Sequence, residues 1–488
     1  MCCYTTKLVS EKKRTKRVDS SVMSHAMTKG RFICHIFDII LYKSKRFTPI
    51  GKDHTMRKRI TEMPSAMPGL MASGGQFHFS MNTRMELTES VDPAILEHAV
   101  EQARKRYPYY FVHLVRGEED YLMLEDNPAP VVVCNKPNPP MLLSEESNGH
   151  IQAFSCDGNI LWHHMHHAFS DGKSLFIYLQ TVMYLYFSEK YHREFNSPGV
   201  HLPGETILPE ETIEPQLRFY PEIQEKLKNN QLSLQLPPAG FGWNSRYIND
   251  RVPTVYYLTV PEDAFVRYSK DRDSSPATLP VVFLLKSIYS IHDEQLPVNA
   301  AIMANARNGL ECNPFMGACV SRVAITYPSK VRTWDIQKIA TATRGAVILQ
   351  TCQESIRQKM LCDTLLPYIA GHCKTKQEAK DMLTGVFVPK ARDSSMTIGC
   401  SYPGAIQWGE LNNYIKSMYL LVDPSADSMT FTIGVSAISG HFCITLMQNF
   451  SSDIYAKHLC KEMNNEGICC TCSNAQPFYY AKTADVYL

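Results

Sequence analysis

A chain of 488 residues, 44% hydrophobic and 20% charged, can bury ordinary cores, and its length suggests two domains rather than one. No window approaches the ~18 uninterrupted apolar residues of a membrane span; the best apolar run, residues 32–42, contains His35 and Asp38 and lacks a signal-peptide cleavage site. The net charge of +2 is uneven: residues 1–60 hold 15 Lys/Arg against four Asp/Glu, which leaves −9 on the remainder and argues against a nucleic-acid surface there.

In chain order, residues 1–70 are expected as a basic, disordered extension without a motif. Order is expected to begin near Gly75. Residues 76–87 are strand-like. Residues 90–108 read as a helix that Asp92 caps and Pro93 opens, with Leu96, Ala99, Val100 and Ala103 on one apolar face. Residues 109–125 read as a hairpin turning at Gly117, and residues 131–134 as a further strand. Residues 158–187 predict strand, short loop and helix: a strand over 160–165, Ser170 or Asp171 at the cap, and a helix apolar nearly all round and therefore buried. Seven prolines between 195 and 245 mark a crossover.

Beyond it, a strand is expected at 254–260, helices at 261–270 and 277–291, strands at 298–306 and 321–327, and a helix from Asp335 to Gln358. Strands at 395–402, 416–423, 429–438 and 441–450 and a helix at 452–464 close the pattern. Strands and helices mix in both halves, which defines an α/β (α+β) class. The expected division is an N-terminal lobe over 71–245, a C-terminal lobe over 246–466 and a tail over 467–488. The 16 cysteines are irregularly spaced, and without a visible secretory signal they read as reduced thiols of a cytoplasmic protein. Cys460, Cys469, Cys470 and Cys472 cluster, but they read as incidental thiols of a tail rather than a zinc knuckle.

The densest chemistry is "HHMHHAFSDG" at 163–172, four histidines in five residues followed by Asp171 and Gly172. Three readings stand. In a strand His164 and His166 share a face, as an HxH metal pair would; the Asp and His that such hydrolases need next are replaced by Ala168 and Phe169. A polar strand edge without a role is the second reading. The third is a single acid/base histidine presented at a sharp strand-to-helix turn.

The order His166-His167-Ala168-Phe169-Ser170-Asp171-Gly172 is HHxxxDG. It resembles the active-site motif of the coenzyme A-dependent acyltransferase superfamily, which includes chloramphenicol acetyltransferase, peptide-synthetase condensation domains and alcohol acetyltransferases. Tyr107-Pro108-Tyr109 is similar to the family's early (Y/F)P(F/Y) stretch, residues 298–310 to its strand ending in an NxR turn, and residues 398–404 to its SNLG-like strand. The resemblance spans about Gly75 to Met463; the DFGWG of the superfamily's plant HxxxD acyltransferases has only a faint echo at 406–410.

The resemblance implies two chloramphenicol-acetyltransferase-like lobes with a central active-site tunnel. It implies His167 as the catalytic base, Asp171 paired to an arginine for which Arg307 is the candidate, and Gly172 letting the backbone turn past the loop. His166 would order that loop, and His163 and His164 would be structural. The implied reaction moves an acyl group from a thioester, acyl-CoA or carrier-bound phosphopantetheine, to an alcohol or amine. No tightly bound cofactor and no metal are expected. The partners expected are a small-molecule acceptor and, with carrier-bound donors, an acyl carrier protein, and the chain is expected to be a monomer. The competing expectation is a catalytically silent condensation-like module that binds a carrier or partner protein.

Overall fold

The computed structural model describes residues 57–485 apart from 75–77, 117–121, 230, 232–249, 294, 374–376, 380, 382–395 and 423–428. Most of the basic extension therefore lies outside the described residues, as does the expected turn at Gly117.

Two sheets carry the molecule. The first has five strands in the order Ile415–Val422, Ser80–Leu87, Ile160–His166, Gln152–Asp157 and Val133–Cys134. One of its faces is covered by two helices, Pro93–Arg104 and Gly172–Tyr191. The apolar period of the first helix explains this docking: Leu96, Ala99, Val100 and Ala103 are buried, and Asp92 accepts hydrogen bonds from the backbone N–H groups of Ala94 and Ile95. The second helix buries Leu175, Tyr178, Leu179, Val182 and Tyr186 against Leu161 and Met165 of the sheet.

The second sheet runs Val320–Tyr327, Val298–Asn305, Met396–Ser401, Met429–Ile438, His441–Asn449, Pro253–Pro261 and Thr471–Cys472, with Gln476–Pro477 also pairing to Pro253–Pro261. Its core is filled from helices Glu262–Asp271, Leu279–Ile291 and Ile454–Asn465. A small third sheet joins Arg57–Arg59, Leu122–Asp126 and Val112–Arg116.

Several expectations change. Order begins before Gly75: residues 57–59 form a strand, and the helix Met67–Ala72 is buried throughout. The apolar side chains Met67 and Leu70 pack with Ala168 and Phe169 of the histidine stretch, which is why this segment folds onto the body. The helix expected from Asp335 to Gln358 is two helices, Ile336–Thr351 and Gln353–Ala370, because Cys352 between them is extended. A helix, Tyr220–Lys228, lies inside the proline-rich crossover. The strand Ile415–Val422, expected with the C-terminal lobe, pairs instead with Ser80–Leu87 of the N-terminal sheet. The tail is likewise part of the body, since Thr471–Cys472 extends the large sheet and Leu142 bridges to Thr483.

Candidate active site

The strand Ile160–His166 delivers three histidines into the interior and the fourth to its end. His163, His164 and His166 are fully buried, whereas His167 is half-buried. His164 Nδ1 lies 2.8 Å from Asn82 Oδ1 and its Nε2 lies 2.8 Å from Ser155 Oγ. The amide oxygen can only accept, so Nδ1 carries the proton and Nε2 accepts from the serine hydroxyl. His166 has the opposite tautomer: Nδ1 accepts from Ala168 N–H, so Nε2–H donates to Ser73 Oγ at 2.9 Å, and that hydroxyl donates onward to the Gly69 carbonyl. Both rings are saturated, and neither retains a lone pair for a metal. Burial pulls their pKa values down to about 3, so both are neutral. His163 donates Nε2–H to Gln152 Oε1 at 3.0 Å and packs on Phe154 and Tyr178; burial pushes its pKa well below the ordinary value.

His167 differs. Its backbone N–H donates to the Phe79 carbonyl, and its ring stacks on Phe79 with centroids 4.9 Å apart. Nδ1 lies 3.0 Å from the Ser170 carbonyl oxygen. A carbonyl accepts only, so Nδ1 bears the proton and Nε2 bears the lone pair. Among the described residues Nε2 meets no hydrogen-bond partner. Desolvation lowers the pKa of the ring, the hydrogen bond to Ser170 opposes that, and the net shift is downward. His167 is thus a neutral imidazole with a fixed tautomer and an open basic nitrogen.

The loop that sets this geometry is held at Asp171. Its Oδ1 caps the following helix by accepting from Ser174 N–H at 3.1 Å. Its Oδ2 accepts from Arg307 Nη1 at 2.7 Å and from Cys319 N–H at 2.9 Å. Arg307, only 1% exposed, stands just past the strand Val298–Asn305. All five of its N–H groups are used: Nε on the Phe315 carbonyl, Nη1 on Asp171 and Asn305, Nη2 on Ser174 Oγ and the Gly317 carbonyl. Burial opposes its charge, but Asp171 more than offsets this and holds its pKa above the usual value.

Gly172 is explained by close approach rather than by backbone conformation. Its φ is not in the left-handed region. A Cβ there would sit 2.3 Å from Cγ of Pro403, so glycine is required by the close approach of the 401–404 segment. Spacing did not single out Ser73, Tyr110 or Pro403. Tyr110 donates to the Met316 carbonyl at 2.6 Å and lies 3.2 Å from Ser170 Oγ, which ties the YPY stretch to the loop. Among the described residues, no group of three or more His, Cys, Asp or Glu is arranged to hold a metal, and no helix is long and apolar enough to cross a membrane.

No family model matches the chain, and no curated protein matches it either. Solved structures do. Polyketide synthase associated protein 5 from Mycobacterium tuberculosis superposes with a TM-score of 0.54 at 10% identity, over 83% of this chain and 97% of that one. Trichothecene 15-O-acetyltransferase from Fusarium sporotrichioides gives 0.51 at 11% identity, over 86% and 96%. The epimerization domain from the third module of tyrocidine synthetase B gives 0.51 at 10% identity, over 86% and 99%. The chain has the chloramphenicol-acetyltransferase-like fold that these acetyltransferase and condensation-type structures share.

Proposed function

We propose that the protein is an acyltransferase that moves an acyl group from a thioester to an alcohol or amine, with His167 as general base. The single observation that carries this is the His167 geometry: Nδ1–H is spent on the Ser170 carbonyl, and Nε2 is left as an accessible base. In the proposed step the acceptor hydroxyl or amine gives its proton to Nε2 while its oxygen or nitrogen attacks the thioester carbonyl. The carbon–sulfur bond then breaks, and the departing thiolate takes the proton from the imidazolium.

Asp171 is not a second base in this scheme, because both its oxygens already accept hydrogen bonds. With Arg307, Gly172 and His166 it positions the loop. Free acyl-CoA is the proposed donor; a protein from F. graminearum that superposes on this chain was solved in complex with coenzyme A and T-2 mycotoxin. Donor and acceptor are proposed to reach His167 from opposite ends of a passage between an N-terminal lobe near 71–245 and a C-terminal lobe near 246–466.

Incubation of the purified chain with acetyl-CoA, longer acyl-CoA thioesters and a panel of alcohols and amines tests this through thiol release. The His167→Ala variant is expected to lose about 10²–10⁴-fold in rate with an unchanged circular dichroism spectrum. Undiminished release in that variant, or no release from any donor by the parent chain, overturns the reading.

A further inference from the structure

A cleft of about 530 Å³ opens between the two sheets, away from the histidine loop. Trp162, on its wall, precedes His167 by five residues of strand. At ~3.3 Å per residue this sets the two about 16 Å apart. Arg84 reaches into the cleft from Ser80–Leu87. Its guanidinium lies 5.0 Å from the ring centroid of Tyr257 and 5.9 Å from that of Tyr419. Those rings hold it by cation–π attraction alone. Among the described residues it donates to no carboxylate or carbonyl, in contrast to the saturated Arg307. Its five N–H groups therefore have no hydrogen-bond partner among the described residues.

Four aromatic rings share the remaining wall with polar side chains, and the net charge is positive. Trp162 meets Tyr479 edge-on at 6.0 Å, and Tyr257 meets Tyr419 at 4.7 Å. Glu86 shares the face of Arg84, but Lys416 lies 3.5 Å from its carboxylate and offsets its charge. The tail contributes Thr471, Cys472 and Gln476 to the rim and so closes one side of the cavity.

We propose that this cleft is a second ligand site, which takes a planar aromatic ring bearing a carboxylate or a phosphate. The anion would engage the guanidinium fork in a bidentate manner, and the ring would stack among Trp162, Tyr257 and Tyr479. Calorimetric titration of the full chain with benzoate, indole-3-acetate and phenyl phosphate, with benzamide as the neutral control, tests it. The expected result is binding of an aryl carboxylate or aryl phosphate, whichever is tighter naming the anion, and at least tenfold weaker binding of benzamide. Arg84→Gln is expected to weaken the anion at least tenfold; Tyr479→Ala is expected to weaken it by removing a ring beside Trp162 without touching the charge. His167→Ala is expected to leave the affinity unchanged. The proposal is overturned if no aryl anion binds, if Arg84→Gln binds as the parent does, or if His167→Ala loses the ligand.

Independently, the geometry points to a modification site at Cys312 and Cys319, which hydrogen peroxide would convert to a disulfide. Both are free thiols, and their sulfurs are 3.7 Å apart against about 2 Å in the bond. Cys312 is half-buried and reachable, and Cys319 is buried behind it. The hydrogen bond from Cys319 favours the Cys312 thiolate, burial opposes it, and the net shift of its pKa is downward. The Cys312 thiolate attacks the peroxide, the O–O bond breaks, and a sulfenic acid and hydroxide form; that hydroxide takes the proton first lost from Cys312. Cys319 then attacks the sulfenic sulfur, the S–O bond breaks, and water leaves with the second proton. Peptide mapping after peroxide treatment is expected to find a Cys312–Cys319 cross-link that dithiothreitol reverses. In Cys319→Ser the oxidation is expected to stop at a dimedone-trappable sulfenic acid on Cys312. The assignment fails if both thiols stay alkylatable while exposed Cys352 and Cys469 oxidise.

Discussion

His167 owes its proposed basicity to two opposed effects. Burial disfavours the imidazolium and lowers the pKa, while the Ser170 carbonyl favours it less strongly. The neutral ring is the active form of a base, so activity is present above the pKa and is lost as pH falls through it. Because the shift is downward, the acid limb of the kcat/KM profile is expected to inflect below pH 6.5, with a plateau through neutrality. An inflection above that value would contradict the environment described. Asp171 belongs to the same scale. Asp171→Asn leaves Arg307 charged, buried and without its counter-charge, which is expected to cost about 3–5 kcal/mol of stability. Urea denaturation measures this, and a variant as stable as the parent would show that the pair is dispensable. The sharp strand-to-helix turn and Asp171 as a candidate cap were legible in the sequence, whereas the choice of His167 among the four histidines came only through the resemblance. The contact between Arg307 and Asp171 was legible only through the resemblance. Local pattern carries no information about partners 136 residues apart. Pro403, which explains Gly172, was invisible for the same reason.

At the scale of elements, the loop is braced from behind by the helix Met67–Ala72. Ser73 at its end links His166 Nε2–H to the Gly69 carbonyl. Ser73→Ala strands a buried donor on His166 and is expected to cost about 1–3 kcal/mol. A thermal melt reads that loss, and an unchanged midpoint would mean that another acceptor replaces the hydroxyl. The buried helix Gly172–Tyr191 and its cap were legible from its all-round apolar pattern. The ordered segment at 57–74 was not, because its charged flanks at Arg57, Lys58 and Arg59 mask a short apolar run that becomes a helix only by packing on Phe169. The break at Cys352 left no proline or glycine to announce it, so a single helix was the natural reading.

At the scale of the molecule, the two halves are not separable along the chain. Strand Ile415–Val422 pairs with Ser80–Leu87, and Met418, Leu420 and Leu421 bury into the N-terminal core. The tail adds the Leu142–Thr483 bridge and the hydrogen bond from Ala481 N–H to Asn82. Periodicity places a strand correctly but does not say which sheet receives it, so a lobe boundary drawn from sequence order misses this exchange. A chain truncated after residue 250 would lose the edge strand of its sheet and expose Ser80–Leu87 as an open ladder beside uncovered Met81 and Met85. It is expected to aggregate or to unfold without a cooperative transition. Co-expression with residues 251–488 is expected to restore a single species, since the missing strand and tail are then supplied in trans. Size-exclusion chromatography and thermal melts of the fragment alone and of the pair decide this. A monodisperse, cooperatively melting fragment would show that the exchanged strand is an accessory rather than a structural member of the first sheet.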